Sequence, residues 1–118
     1  PDSIAEALEA SSLADVSDPT AYMFRAFAEQ TKSDLHALAA CLRGSRQTLG
    51  RAEVGRIAVP LLVAVGATDR IAGSPEELAA LIPGARALAI PDRDHMLAVG
   101  DRTFKTAVTA FLSERPKS

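Results

Sequence analysis

A short, unbroken apolar run limits the folds open to this chain more than any other feature of the sequence. Residues 61–65 read Leu-Leu-Val-Ala-Val, with Pro60 before them and Gly66 after them. A run that is apolar at every position, instead of at every second position, predicts a strand covered on both faces, as in parallel sheets. Its longest extent, residues 59–65, is far below the roughly 20 residues of a membrane-spanning helix. We therefore expect an α/β protein with no attachment to a membrane.

Helix and strand signals alternate after this run. Ser74-Pro75 predicts a helix start, with Ser74 as the N-cap and Glu77 reaching back to complete a capping box. Residues 87–90 predict a second short strand, and a last helix is expected over residues 101–112. Two strands joined through a helix are expected to be parallel. The helix residues predicted to face the core are Leu78, Leu81, Ile82, Phe104, Val108, Phe111 and Leu112.

The chain before this region is predicted to be helical. A weak amphipathic helix is expected over residues 4–13. A second helix starts at Asp18-Pro19, where Asp18 is the N-cap and the missing N–H of proline costs nothing. A third helix covers residues 33–43 and ends at Gly44. The second helix is expected to place three residues on one side: Phe24, Phe27 and Ala28.

A polar loop follows each of the two predicted strands. Asp69 lies four residues past Val65, and His95 lies five residues past Ile90. Catalytic groups of open parallel sheets gather beyond the carboxyl ends of the strands, and neighbouring strands are about 4.8 Å apart. We expect the Asp69 carboxylate to accept the Nδ1–H of His95, which fixes the tautomer and stabilises the imidazolium formed when Nε2 takes a proton. The alternative acids are Asp92 and Asp94.

The segment that holds these residues resembles the C-terminal part of α/β-hydrolases. Residues 57–69 look like the strand and acid segment of that family, and residues 82–95 resemble the stretch that leads into its catalytic histidine. Residues 104–112 are similar to its closing helix. The resemblance covers residues 56–113 and implies the last two parallel strands of an α/β-hydrolase fold with their flanking helices.

The resemblance also implies an incomplete active site. Residues 1–55 would form the cap or linker region, and residues 56–118 the C-terminal βαβα part of the core. Asp69 would be the acid and His95 the histidine of a Ser-His-Asp triad, in a serine-type esterase that cleaves an ester or related acyl bond. The nucleophile is not in this chain, because no serine lies in a G-x-S-x-G motif. The chain would be a fragment, inactive without the N-terminal half of the same protein, which completes the sheet.

Several other side chains are candidates with simpler explanations. Aromatic residues on one side of a helix more often pack in the core than line a pocket. For the apolar residues beside His95, packing is likewise the alternative to lining a pocket. His36 is expected to be a surface or packing residue, and Cys41 a small buried hydrophobe. The candidates for a pocket that binds a small acyl or ester substrate are Phe24, Phe27, Met96 and Leu97.

Charge and composition narrow the functional classes. A net charge of −2 gives no basic face for nucleic acid. The single cysteine excludes an intramolecular disulfide and a multi-cysteine metal site, and neither a metal nor a cofactor is predicted. The chain starts Pro-Asp-Ser-Ile-Ala-Glu, without Met and without a signal-peptide pattern. A cytoplasmic location and a processed or truncated product are therefore expected.

Two other readings of the chain stay open at this point. The first is a non-catalytic relative of the α/β-hydrolases that keeps the scaffold for binding and has lost its nucleophile. The second is a small autonomous α/β domain that forms a homodimer by pairing or exchanging strands.

Overall fold

The chain divides into two units that differ in secondary structure. The computed structural model describes residues 2–45 and 47–114. We call Pro1–Thr48 the helical unit and Leu49–Ser118 the sheet unit. The boundary at residues 55 and 56, which the sequence predicts between cap or linker and core, stays a prediction.

The described part of the helical unit contains three α-helices and a short 3-10 turn. Asp18 starts the second helix as predicted, because its Oδ1 accepts the N–H of Ala21 at 2.7 Å. The first helix is shorter than residues 4–13, since the backbone N–H and hydroxyl of Ser12 both donate to Asp15 and start the 3-10 turn there. The elements are α1 (Asp2–Glu9), the 3-10 turn (Leu13–Asp15), α2 (Pro19–Gln30) and α3 (Leu35–Gly44).

Small residues form the core of the helical unit. Ala5, Leu8, Ala28 and Ala39 are buried together, and three of the four are alanines, which let the helices approach closely. The buried side of α2 carries Ala21, Arg25 and Ala28. The expectation that Phe27 shares the side of Ala28 is wrong: Phe27 is 51% exposed, because the close helix contact is made at positions 21, 25 and 28. Cys41 is exposed, not buried as expected.

Arg25 is the buried charge of this core. Its Nη1 contacts the carbonyl oxygens of Ala7, Leu8 and Ala10 at 2.7, 3.0 and 2.9 Å. These carbonyls lie at the end of α1, where a helix leaves its last C=O groups without internal partners. Arg25 therefore caps α1 from the neighbouring helix.

The sheet unit contains the strand–helix–strand–helix order that the sequence predicts. The strands are parallel neighbours, with Leu62 opposite Arg86 and Gly66 opposite Ile90. The two strands therefore end level with one another. The elements are α4 (Arg51–Val54), β1 (Leu62–Gly66), α5 (Pro75–Ala79), β2 (Arg86–Ile90) and α6 (Arg102–Ser113).

Burial in the sheet unit is lower than the sequence predicts. Residues 62–65 of β1 are half-buried, not covered on both faces, because α5 and α6 pack against a sheet that is two strands wide. Leu78 and Leu112 are 42% and 46% exposed. Ser74 caps α5, because its hydroxyl oxygen accepts the N–H of Glu77. The same hydroxyl donates to the carboxylate of Glu76, whereas the sequence predicts a carboxylate contact from Glu77. The last helix ends at Ser113, and Pro116, where the sequence predicts fraying, lies outside the described residues.

Candidate active site

Two backbone hydrogen bonds join the loops that leave β1 and β2. The N–H of Ala67 donates to the Ile90 carbonyl at 2.8 Å, and the N–H of Thr68 donates to the Arg93 carbonyl at 3.0 Å. These bonds continue the pairing of the strands for two residues past Gly66. The two polar loops are therefore held side by side as they leave the sheet.

Gly66 allows this close approach. A Cβ at this position would lie 2.2 Å from the Arg93 carbonyl oxygen and 2.8 Å from the Asp94 carbonyl oxygen, which is inside the contact distance of any side chain. Glycine within a strand often marks a close approach of another backbone, and Gly66 is the last residue of β1. In the sequence, Gly66 marks only the end of the apolar run, so its close contact with the histidine loop was not predicted.

Asp69 and His95 meet at the point where the sequence predicts them. His95 Nδ1 lies 2.8 Å from Asp69 Oδ2. The other carboxylate oxygen, Oδ1, accepts the backbone N–H groups of Ile71 and Ala72 at 2.7 and 3.0 Å. Each oxygen of Asp69 therefore has a hydrogen-bonded partner, and the carboxylate cannot rotate without breaking these bonds.

The environment of Asp69 favours the ionised carboxylate. Burial alone would raise the pKa of the Asp69 carboxyl, but hydrogen bonds from the N–H groups of Ala72 and Ile71 and the interaction with His95 lower this pKa below its usual value. An ionised carboxylate only accepts hydrogen bonds, so His95 Nδ1 carries the hydrogen and Nε2 is the basic nitrogen. The Asp69 side chain is 3% exposed and that of His95 is 38% exposed, which leaves the base accessible.

The two alternative acids, Asp94 and Asp92, have other roles in the loop before His95. Asp94 Oδ1 accepts the N–H groups of Met96 and Leu97, each at 3.0 Å, and so shapes the loop around His95. Asp92 has a φ of 55°, in the left-handed region that aspartate tolerates in turns. Among these three aspartates, it is Asp69 that contacts the imidazole.

The predicted pocket residues are distributed over both units. Met96 is half-buried and Leu97 is 58% exposed in the loop directly after His95. Phe24 is half-buried and Phe27 is exposed, both on α2 of the helical unit. Their part in a substrate pocket stays a prediction. His36 is exposed on α3, in line with the expected surface position.

An ion pair next to the site was not predicted. Arg93 Nε lies 2.7 Å from Asp101 Oδ2, and Asp101 Oδ1 accepts the N–H of Thr103 at 2.7 Å as the N-cap of α6. The hydrogen bond from Arg93, with that from Thr103, lowers the pKa of Asp101. The sequence signals the cap, but no local rule links an arginine to an aspartate eight residues later.

Within residues 2–45 and 47–114, no group of three or more His, Cys, Asp or Glu side chains is placed to hold a metal ion. No helix in that part of the chain combines the length and the apolar character needed to cross a membrane.

The parallel strands and the loops beyond them define part of an α/β fold of the hydrolase type. The chain is similar to the crystal structure of a hydrolase from Pseudomonas aeruginosa PA01, with a TM-score of 0.67 and 29% sequence identity. The match covers 92% of this chain and 47% of that one, so this chain spans about half the length of the protein it resembles. No protein-family model matches the chain, and no match to a curated protein was found.

Proposed function

We propose that this chain is the C-terminal portion of a serine-type α/β-hydrolase that cleaves an ester or a related acyl bond. Asp69 and His95 are the acid and the histidine of its Ser-His-Asp triad. The observation that carries the proposal is the 2.8 Å contact between His95 Nδ1 and Asp69 Oδ2, made by a carboxylate that two backbone N–H groups also hold. The similarity to a hydrolase of known structure supports it.

The geometry of the pair suits general acid–base chemistry. Asp69 holds the Nδ1–H of His95, so Nε2 takes the proton from the serine hydroxyl as its oxygen bonds to the acyl carbon. Asp69 stabilises the imidazolium that results. Nε2 then gives the proton to the leaving alcohol as the bond to the acyl carbon breaks. Water releases the acyl group in a second cycle of the same kind.

The nucleophile belongs, in this proposal, to the N-terminal half of the same protein. The chain contains no G-x-S-x-G motif, and the similar hydrolase is about twice as long as the matched region. The described sheet has β1 at one edge, and a strand of the missing half would pair there. The chain alone is then inactive.

The same proposal assigns roles to the two segments of the sequence. Residues 56–118 form the C-terminal part of the core, and residues 1–55 form the cap or linker. The substrate is a small acyl or ester compound. The cytoplasmic location and the absence of nucleic-acid and membrane partners stay predictions. The predicted pocket residues are Phe24, Phe27, Met96 and Leu97.

A fluorophosphonate probe tests the proposal. The chain is mixed with the N-terminal half of its protein, and attachment of the probe to a serine is followed by mass spectrometry. We expect labelling only when both parts are present, and labelling at least about 1,000-fold slower with His95→Gln or Asp69→Asn. His36→Gln, at an exposed histidine of the helical unit, is the matched control and should label normally.

Three outcomes contradict the proposal. Labelling that His95→Gln leaves unchanged would separate the histidine from the chemistry. A complex that forms without any labelling would favour a non-catalytic binding protein of the same fold. A chain that sediments as a stable homodimer and does not bind the N-terminal half would favour the autonomous α/β domain instead.

A further inference from the structure

Arg93 connects the histidine loop to its surroundings on two sides. Its backbone carbonyl accepts the N–H of Thr68 at 3.0 Å and lies against Gly66 at a distance that excludes a side chain. Its Nε lies 2.7 Å from Asp101 Oδ2. The main chain of this residue therefore contacts the acid loop, while its side chain contacts the start of α6.

We propose that Arg93 is a positioning residue for His95, acting through its ion pair with Asp101. Arg93 comes two residues before His95 and Asp101 six residues after it, so the pair closes the segment 93–101, which contains His95, into a loop. Closing a loop restricts the conformations of everything inside it. The pair thus holds His95 where its Nδ1 meets Asp69 Oδ2. Its relevance to catalysis rests on the proposed function, whereas its effect on the imidazole does not.

The burial of the Asp101 carboxylate distinguishes this pair from an ordinary surface contact. The Asp101 side chain is 12% exposed, against 59% for Glu114 in the Arg86–Glu114 pair elsewhere in the sheet unit, whereas the two arginines are similarly exposed, at 41% for Arg93 and 49% for Arg86. Solvent screens a buried carboxylate less than an exposed one. The Arg86–Glu114 pair joins the start of β2 to the end of α6 and provides a matched control away from the histidine loop.

The effect of capping α6 can be distinguished from the effect of the ion pair by substitution of Asp101. Asp101 uses Oδ1 for the N–H of Thr103 and Oδ2 for Arg93. Asparagine caps a helix about as well as aspartate but has no charge, so Asp101→Asn removes the ion pair and keeps the cap. An effect shared by Arg93→Gln and Asp101→Asn therefore belongs to the pair.

The test reads the tautomer of His95 by ¹⁵N NMR of the chain in alkaline solution, where free imidazoles are neutral. The other histidine, His36, is an internal reference on the helical unit. We expect the ratio of the Nδ1–H to the Nε2–H tautomer of His95 to fall roughly two- to fivefold in Arg93→Gln and in Asp101→Asn. Arg86→Gln should leave the ratio unchanged, and Arg93→Lys, which keeps the charge, should restore most of it.

The outcomes separate this inference from the proposed function. A ratio that stays unchanged in Arg93→Gln and Asp101→Asn, with both variants folded by circular dichroism, overturns the positioning role. If Arg93→Gln does not fold, the comparison of Asp101→Asn with Arg86→Gln decides. In the protein reassembled with its N-terminal half, the rate of fluorophosphonate labelling should fall in proportion to the fraction of His95 in the Nδ1–H tautomer. Absence of labelling in the unmodified protein counts against the proposed function alone.

Discussion

The carboxylate of Asp69 has one oxygen for anchoring and one for His95, the contact that the proposed function uses for chemistry. One oxygen accepts two backbone N–H groups of its own loop, and the other accepts the imidazole of His95. A group that is already oriented by the backbone does not have to be ordered during a reaction, which is how preorganised sites lower barriers. The side chain of Asp69 is buried, while its charge is balanced by these donors.

The first prediction at this scale concerns acid unfolding. The folded state lowers the pKa of Asp69 below its ordinary value of 3.8, so the carboxylate adds to the free energy of unfolding above that value. This contribution is lost as pH falls through the folded pKa. The unfolding free energy, measured in urea by circular dichroism from pH 7 to pH 3, should therefore fall more steeply below about pH 4 in the unmodified chain than in Asp69→Asn. Parallel curves would contradict the assignment.

A second prediction concerns the close approach at Gly66. In Gly66→Ala, the new methyl group would lie 2.2 Å from the Arg93 carbonyl oxygen, so the histidine loop must shift. We expect a loss of about 1–3 kcal/mol in unfolding free energy, as for other overpacked sites, and a disturbed His95 tautomer. The control is Gly100→Ala, where the nearest heavy atom is 3.7 Å from the new carbon. Equal stability of the two variants would show that the loops tolerate separation.

At the scale of elements, α1 depends on a cap supplied by another helix. Arg25 reaches from α2 to three carbonyls near the end of α1 and also pairs with Glu29 on its own helix. Small core residues give α1 little apolar area with which to hold itself in place. The end of the helix is thus stabilised by a charge that is almost fully buried.

Substitution of Arg25 tests this dependence. Arg25→Met keeps much of the apolar stem but leaves the α1 carbonyls without their donor, so we expect a loss of about 2–3 kcal/mol in unfolding free energy. Hydrogen exchange of the α1 amides should accelerate as well. Arg43→Met removes the exposed partner of Glu9 and should have a much smaller effect. A similar effect of both substitutions would argue that Arg25 acts only as a surface charge.

The sequence predicts the elements that carry their own local signals. Asp18 and Ser74 cap the helices that they were expected to start, and the apolar run became a strand parallel to the second one. The meeting of Asp69 and His95 was also predictable, because level strand ends bring their loops together.

Other features depend on partners that are distant in the sequence. Phe27 and Leu112 fit an apolar stripe, yet both are exposed, because the side of a helix that is buried depends on what packs against it. The contact of Gly66 with the Arg93 carbonyl arises only once the strands are in register. Arg93 and Asp101 lie eight residues apart, and no local sequence pattern predicts that they form an ion pair.

At the scale of the whole chain, the segment between the two units is exposed. Residues 47–50 contain neither helix nor strand and are exposed throughout, and the two units divide within them. Such segments are where proteases cut first, since the backbone must unfold locally to enter the protease.

Limited proteolysis tests this division. A protease of broad specificity at low concentration should cut first at residues 47–50 and give two fragments, which mass spectrometry identifies. Cuts inside α2 or β1 should appear only later, because those residues are hydrogen-bonded in regular structure. A first cut within either element would contradict a division at residues 47–50.

The joined loops after β1 and β2 have a consequence for how such a catalyst is put together. The contacts described here between the histidine loop and its surroundings, from Gly66 to Asp101, lie within one continuous stretch of a few dozen residues. On the proposed function, this stretch contributes an acid–histidine pair that is already positioned, and another polypeptide segment contributes the attacking oxygen. Recombination would then exchange the segment that carries the nucleophile, and with it the reaction, while the acid–histidine pair is kept.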